Sequence, residues 1–308
     1  MTDTTSICII RYPGASQAAI FGLEEMFLLA NITAQQQHSN HKFECKIIEH
    51  NELSEHSFKP QVAIVPPSIN HNYYLEPSTP VLVWLKLQHQ QGCIITSACA
   101  GAFILAKARL LEQRPVTTHW ALSEDFSARF PNSQLRSADI LINDGDIITA
   151  GGLMSWLDLG LELVAQYTQP AIMRQLGKNL VVDTGPREQR YYQSFNPSFE
   201  HGDKDIIKVQ HFIQSHYQQN INVALLCEQC FLTERTLLRR FVKATGLKPI
   251  QYLQKLRVQK ACELIESSSI GTEAIAQQVG YEDAGAFRKV FIKIIGLSPR
   301  DFRRRFAS

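Results

Sequence analysis

Long apolar runs are missing from this chain, and none approaches the length that a membrane-spanning helix needs. A secretory leader pattern is missing too: Met1-Thr-Asp-Thr-Thr-Ser has no basic stretch, and Ile7–Ile10 is too short for an apolar leader core. Cysteine is sparse, with seven residues at 8, 45, 93, 99, 227, 230 and 262. That odd count without framework spacing argues against a disulfide-stapled secreted domain and for a reducing compartment. A dominant charge of one sign is absent, the net charge being only +2. No low-complexity tract or long-period repeat is evident. These absences predict a soluble, cytoplasmic, globular protein, and 308 residues suit two domains better than one.

Charge is present but unevenly placed. Residues 1–200 carry 14 Lys and Arg against 19 Asp and Glu, whereas residues 201–308 carry 17 against 10. An acidic body followed by a basic tail predicts a nucleic-acid partner for the tail, against the alternative of a merely solvated basic face.

Hydrophobic periodicity separates the halves in the same way. Ile7–Ile10, Phe43–Glu49, Gln61–Val65 and Cys93–Ser97 read as buried strands, interleaved with helical stretches at Gln17–Asn31, Val81–Gln91 and Gly101–Leu111. Asp139–Ile142 and Ile147–Ala150 read as a hairpin turning at Asn143-Asp144-Gly145, followed by a helix over Met154–Tyr167. This alternation predicts an α/β domain with an open, mainly parallel sheet, flavodoxin-like in class, over residues 1–190. The polar stretch 191–203, punctuated by Pro197 and Gly202, reads as a linker. From 204 to 308 only helical periodicity remains.

Within that basic segment, Asn222 starts a short helix, a Phe231-Leu232 turn follows, and Thr233 caps a second helix over Glu234–Ala244. Leu237 and Phe241 face inward, while Arg235, Leu238 and Arg239 share the opposite face. Guanidiniums on one exposed edge suit bidentate contact with guanine, or phosphate. The arrangement recurs: Thr272–Val279 is a helix, Gly280-Tyr281 a turn, and Asp283 caps a helix over Ala284–Ile294 whose Arg288 and Lys289 point outward. Between the units Pro249–Ser267 reads as one long helix. Two helix-turn-helix units in the basic half make a plain helical bundle with a charged skin a poor explanation. Cys227-x-x-Cys230 lies within one helix and has no second ligand pair, so it reads as small buried side chains rather than a metal site.

The segments Leu226–Phe241, Ile275–Phe291 and Gly296–Phe306 resemble the AraC family of bacterial transcription regulators over Lys204–Phe306. The resemblance implies seven helices and two recognition helices entering successive major-groove segments of double-stranded DNA. It makes Thr233, Arg235, Leu238, Arg239, Gly285, Arg288 and Lys289 the candidate DNA-binding residues. Two departures stand out. Phe231 occupies a turn position where the family has a small residue, and Ala284-Gly285 leave the start of the second recognition helix without polar side chains. The first unit is therefore expected to read bases, and the second mainly to grip phosphate.

In the acidic half, Gly92–Ala106 is a β-run meeting a helix through small residues at Cys99. This is the pattern of a nucleophile elbow, where helix N–H groups are expected to lower a thiol pKa; the alternative is a small residue fitted to a cramped turn. Ser97-Ala-Cys-Ala-Gly, Val116-Thr-Thr-His-Trp, Thr149-Ala-Gly-Gly and Gly22-Leu-Glu-Glu-Met-Phe resemble the DJ-1/PfpI branch of the class I glutamine amidotransferase-like fold over about Ser6–Val182. Leu180-Val-Val-Asp with Arg187-Glu-Gln-Arg resembles the segment that closes the sensor of regulators joining such a domain to an AraC-type tail. The resemblance implies a ligand pocket at the carboxyl ends of the strands, with Glu25, Cys99, Ala100, His119, Gly152 and Leu153 as candidate lining residues. Hydrolases with this elbow place His after the thiol; here Ala100 follows.

The sequence thus predicts a sequence-specific DNA-binding regulator, not an enzyme, with no catalytic residues, no metal and no cofactor. Its expected effector is a small metabolite, an amino or quaternary-amine compound by resemblance. Trp84, Trp120 and Trp156 are candidates for cation–π recognition or for plain packing. The expected partners are double-stranded DNA, the effector, a second copy through the N-terminal domain, and RNA polymerase. The rivals are a thiol hydrolase or hydratase with a DNA-binding tail, and a redox sensor built on Cys99.

Overall fold

The computed structural model describes residues 3–53, 58–70, 72–185, 188–195 and 197–307, and it divides into two compact units, residues 1–189 and 190–308. Arg187, part of the closing motif, lies outside the described residues.

The first unit is built on a six-stranded sheet in the order β2-β1-β3-β4-β8-β7. Its strands are β1 (Thr4–Arg11), β2 (Lys42–Glu49), β3 (Val62–Val65), β4 (Ile94–Ala98), β7 (Leu141–Asn143) and β8 (Ile147–Ala150). All neighbours run parallel except the edge hairpin β7–β8. The hairpin turns where Asn143 Oδ1 accepts the Gly145 amide at 3.0 Å. β3 and β8 are buried along their whole lengths, which is why they read as continuous apolar runs rather than alternating ones. Parallel neighbours need crossovers, to which α1 (Gln17–Gln36), α2 (Thr79–Gln90) and α3 (Gly101–Lys107) contribute, while α5 (Trp156–Tyr167) follows the last strand.

Four elements were not anticipated: a two-stranded sheet of β5 (Pro115–Val116) with β6 (Gln134–Leu135), α4 (Ser123–Arg129), and α6 (Pro170–Leu180). The signal for α6 was available in Pro170 at its first turn and in Ile172 and Leu176, four apart and both buried.

The second unit contains seven helices among its described residues: α7 (Lys204–His216), α8 (Val223–Cys230), α9 (Glu234–Thr245), α10 (Pro249–Ser267), α11 (Thr272–Gln278), α12 (Ala284–Ile295) and α13 (Pro299–Phe306). Two cores divide along α10. Leu226, Leu237, Phe241 and Tyr252 fill one, and Ile275, Phe287, Phe291 and Phe302 fill the other. The polar stretch before α7 is fastened to this unit. The Phe195 ring meets Tyr252 edge-on at 5.1 Å, Ser198 O accepts from Gln210 Nε2 at 3.0 Å, and Asp203 caps α7.

Candidate functional site

In each helix-turn-helix unit a buried pair fixes the register of the second helix. Leu237 and Phe241 are fully buried beneath α9, and Phe287 and Phe291 beneath α12. Rotation by the helical repeat then turns Arg235 and Arg239 outward on α9, and Gly285, Arg288 and Lys289 outward on α12. Leu238 is half-buried at the edge of its face. None of Arg235, Arg239, Arg288 and Lys289 is held by a hydrogen bond or ion pair among the described residues, so four cations stand available to an anionic partner. Arg240, by contrast, is committed inside the unit. Its guanidinium meets Asp203 at 2.5 Å and Asp205 at 3.0 Å, which anchors α9 to the start of α7.

The caps differ from one another. Asp283 accepts the amides of Gly285 and Ala286, both at 2.9 Å, as expected of a cap. Thr233 occupies the corresponding position, but its hydroxyl binds the Thr236 hydroxyl at 2.9 Å instead of a backbone amide. Position was legible there; side-chain bonding was not. Cys230 is buried with its thiol on Leu226 O at 3.2 Å, and no metal-binding cluster occurs among the described residues.

In the α/β unit the elbow is present. Cys99, between β4 and α3, adopts a left-handed backbone with φ of 55°, a strained conformation for a residue bearing a side chain. Its amide donates to Ala150 O at 2.8 Å, and the Thr118 hydroxyl donates to its carbonyl at 2.8 Å. The expectation of a lowered thiol pKa is overturned. Burial pushes the Cys99 thiol up to about 11, against the opposing hydrogen bond from the Ala100 amide. Desolvation of a thiolate at 5 % exposure outweighs one N–H at the head of a short helix.

Of the other candidate lining residues, Ala100 is buried beside Cys99 and Gly152 donates its amide to Ser155 Oγ at 2.8 Å. Leu153 is exposed on the turn before α5. His119 is half-buried; its Nδ1 accepts the Ala121 amide at 3.1 Å, its ring lies 5.4 Å from that of Trp120, and burial lowers its pKa. Glu25 is exposed on the outer face of α1. Among the described residues the Cys99 thiol makes no hydrogen bond to His119 or Glu25, so there is no thiol–imidazole or thiol–carboxylate pair. Trp84 and Trp156 are core residues at 6 % and 7 % exposure, which leaves Trp120 as the half-exposed tryptophan.

One residue that organises this region was not singled out from sequence. Gln189 is buried, and its side-chain amide donates to Thr117 Oγ1, Thr118 O and Asp139 O at 3.1, 2.9 and 2.9 Å. Its side-chain oxygen accepts the Trp120 amide at 3.2 Å. A Cβ at Gly151 would overlap the Gln189 amide, so the glycine makes room for this bond cluster. The structure therefore gathers Cys99, Thr117–Trp120, Gly151 and Gln189 at the carboxyl ends of β4 and β8.

Comparison with known proteins agrees with this division. The model of the DJ-1/PfpI family matches residues 33–166, and that of a helix-turn-helix domain matches residues 226–305. The chain is 25 % identical over 231 residues to the HTH-type transcriptional regulator CdhR of Pseudomonas aeruginosa, covering 74 % of this chain and 68 % of that protein. It is 31 % identical over 104 residues to the MmsAB operon regulatory protein of the same organism, covering 34 % of each. Among solved structures, a protein from Vibrio parahaemolyticus put forward as a transcriptional regulator superposes with a TM-score of 0.50 at 22 % identity, covering 58 % of this chain and all of that one. That likeness supports the fold of the first unit.

Proposed function

We propose, from the premise that this chain is an AraC-family DNA-binding transcription regulator with an N-terminal DJ-1/PfpI domain, that the first unit senses a small metabolite and the second reads a specific operator. The observation that carries the sensing role is the state of Cys99. A thiol pushed up to about 11 is protonated at neutral pH, and it has no base to activate it among the described residues. A strained elbow kept without an activated nucleophile suits binding rather than turnover. Trp120, half-exposed and two residues beyond the Thr118 that bonds the Cys99 carbonyl, favours an amino or quaternary-amine effector, because an aromatic ring attracts a cation.

On the DNA side, Arg235 and Arg239 read base edges while Arg288 and Lys289 grip phosphate. A second copy associates through the first unit, in keeping with the exposed Phe21, Leu28 and Ile32 along the outer face of α1. RNA polymerase is a further partner at the promoter, and the site of action is the cytoplasm.

Calorimetric titration of the full chain with amino acids and quaternary ammonium compounds tests the sensor. Binding by a member of that set, with operator response retained in Cys99→Ser, is the expected result. Loss of response in Cys99→Ser, with folding and ligand affinity preserved, would transfer the role to thiol chemistry.

A further inference from the structure

The two recognition helices share a feature beyond their cations. Val242 on α9 and Ile292 on α12 stand fifty positions apart, each directly after the buried phenylalanine, Phe241 or Phe291, that sets its helix. Both are 41 % exposed. The large apolar side chains exposed among the described residues of the helical unit are Tyr192, Phe231, Val242 and Ile292, so two of the four occupy one equivalent position. Single apolar residues scattered on a surface are ordinary, but their coincidence in register is not. Local helix preference does not account for them either. Valine and isoleucine are poorer helix formers than alanine or lysine, and their exposure here leaves less packing to compensate.

A helix lying in the major groove reads with residues at i, i+3, i+4 and i+7, which share one face. Counted from Arg235, those positions are Leu238, Arg239 and Val242; counted from Gly285, they are Arg288, Lys289 and Ile292. Seven residues complete two turns to within about 20°, so Val242 falls almost in line with Arg235, and Ile292 with Gly285. The rise over seven residues is about 10 Å, roughly three base steps of about 3.4 Å, so the fourth position faces other bases than the first. Exposed Lys243 and Lys293 follow the two apolar side chains, which therefore sit within a cationic face. Of the groups that the major groove displays, the apolar projection is the C5-methyl of thymine.

We propose that Val242 and Ile292 are specificity-determining residues, each covering the C5-methyl of one thymine in the major-groove segment that its helix enters. The inference rests on the reading that these faces enter the groove, and it gives the second unit, whose cations grip phosphate, a base contact of its own. Charge draws the face to DNA of any sequence. The methyl contact forms only where thymine stands; at any other base the apolar side chain desolvates a polar edge without replacing its hydrogen bonds.

Duplexes enriched from a random pool by the full chain supply the operator for the test. Replacing its thymines one at a time by deoxyuridine removes single methyl groups and leaves base pairing intact. Burial of one methyl changes affinity about fourfold. Deoxyuridine at one thymine is therefore expected to weaken binding by the unaltered chain about fourfold and to have no effect on Val242→Ala. A different thymine, in the adjacent groove segment, should behave in the same way toward Ile292→Ala. Neither variant should shift the thermal midpoint, because both side chains are exposed. Equal deoxyuridine penalties in the unaltered chain and in both variants would set the methyl groups against other residues. Unchanged operator affinity in both variants would give the apolar pair to a protein partner. Either result overturns the methyl contact and leaves the operator reading standing. A pool from which no sequence is enriched would overturn the operator reading and this inference together.

Discussion

The two helix-turn-helix units repeat one another fifty positions apart, and their differences teach more than their likeness. Leu237 and Phe241 recur as Phe287 and Phe291, and Gly246, Leu247 and Pro249 recur as Gly296, Leu297 and Pro299. The register slips at the turn. In the first unit the left-handed residue is Phe231, two positions before the cap Thr233; in the second it is Gly280, three positions before Asp283. The second turn is thus one residue longer and needs a glycine, because a Cβ at Gly280 would lie 2.6 Å from Gln218 O and 2.8 Å from Arg257 Nη2. The first turn is open enough to hold a phenylalanine at 90 % exposure. Outward chemistry differs as well: Arg235 corresponds to Gly285, and Arg239 to Lys289. The first unit presents two guanidiniums outward, on Arg235 and Arg239; the second has a tightly built turn and presents one, on Arg288, beside the Lys289 ammonium.

The largest expected effect attacks the turns. Gly280→Ala forces a left-handed backbone on a residue with a side chain and drives its methyl into a backbone oxygen, so it should cost about 3 kcal/mol in urea unfolding. Phe231→Ala at the matching place should cost less than about 0.5 kcal/mol, since its side chain is exposed. Equal losses at the two positions would break the comparison.

Next comes the division of reading. Arg239→Ala is expected to cost about 1–3 kcal/mol at the selected operator and to relax preference at one or two base positions. Lys289→Ala should weaken binding to all sequences alike and reduce the salt slope by about one phosphate contact. Affinities over a set of operator variants at several salt concentrations separate these behaviours. A larger change of sequence preference in Lys289→Ala than in Arg239→Ala would reverse the assignment of the two units.

What could be read from sequence follows the range of the interactions concerned. The paired helices, their buried faces and the Asp283 cap depend on residues two to four apart, so local pattern revealed them. The mainly parallel sheet also followed, from apolar runs separated by helical stretches, whereas its strand order did not. Gln189 was missed because each of its side-chain partners lies at least 50 positions away, and no local pattern marks a polar residue for burial. The Cys99 pKa was misjudged for the same reason. The helix N–H beside it is local and visible, while the desolvation that wins is a tertiary property. Glu25 was grouped with Cys99 by motif alone, and the outward turn of α1 keeps it in solvent.

A smaller effect sharpens the contrast at Phe231. Its left-handed conformation costs about 1–2 kcal/mol relative to glycine, while glycine returns part of that through a freer unfolded chain. Phe231→Gly should therefore raise stability by less than about 1 kcal/mol. The Phe231 ring also lies 5.7 Å from the Lys208 ammonium, a solvent-exposed contact of little weight. A loss of stability would mean that the ring holds the first turn, and the two turns would then be built on different principles.

The smallest effect is a pH dependence that the two recognition helices should not share equally. The amides of Gly285 and Ala286 hold the Asp283 carboxyl below its ordinary range, with Lys289 adding to the effect. A carboxyl whose folded pKa is depressed contributes stability that is present above its unfolded pKa and lost as pH falls through the folded value. The start of α12 should therefore fray on acidification below the usual carboxylate range. Thr233 does not titrate, so the head of α9 should show a weaker dependence, arising only from Glu234 in its first turn. Asp203 is the group that could blur the comparison, since Arg240 on α9 holds its pKa down too. That bond joins the middle of α9 to the head of α7, so its loss should show along α7 rather than in the first turn of α9. Following the amide signals of Gly285 and Ala286 against those of Arg235 and Thr236 from pH 6 to about pH 3 separates the two, a window set by the ordinary carboxylate pKa. Equal shifts in both helices would show that acid loosens the whole unit at once; fraying confined to α12 would show that the Asp283 cap is an independent device of the second unit.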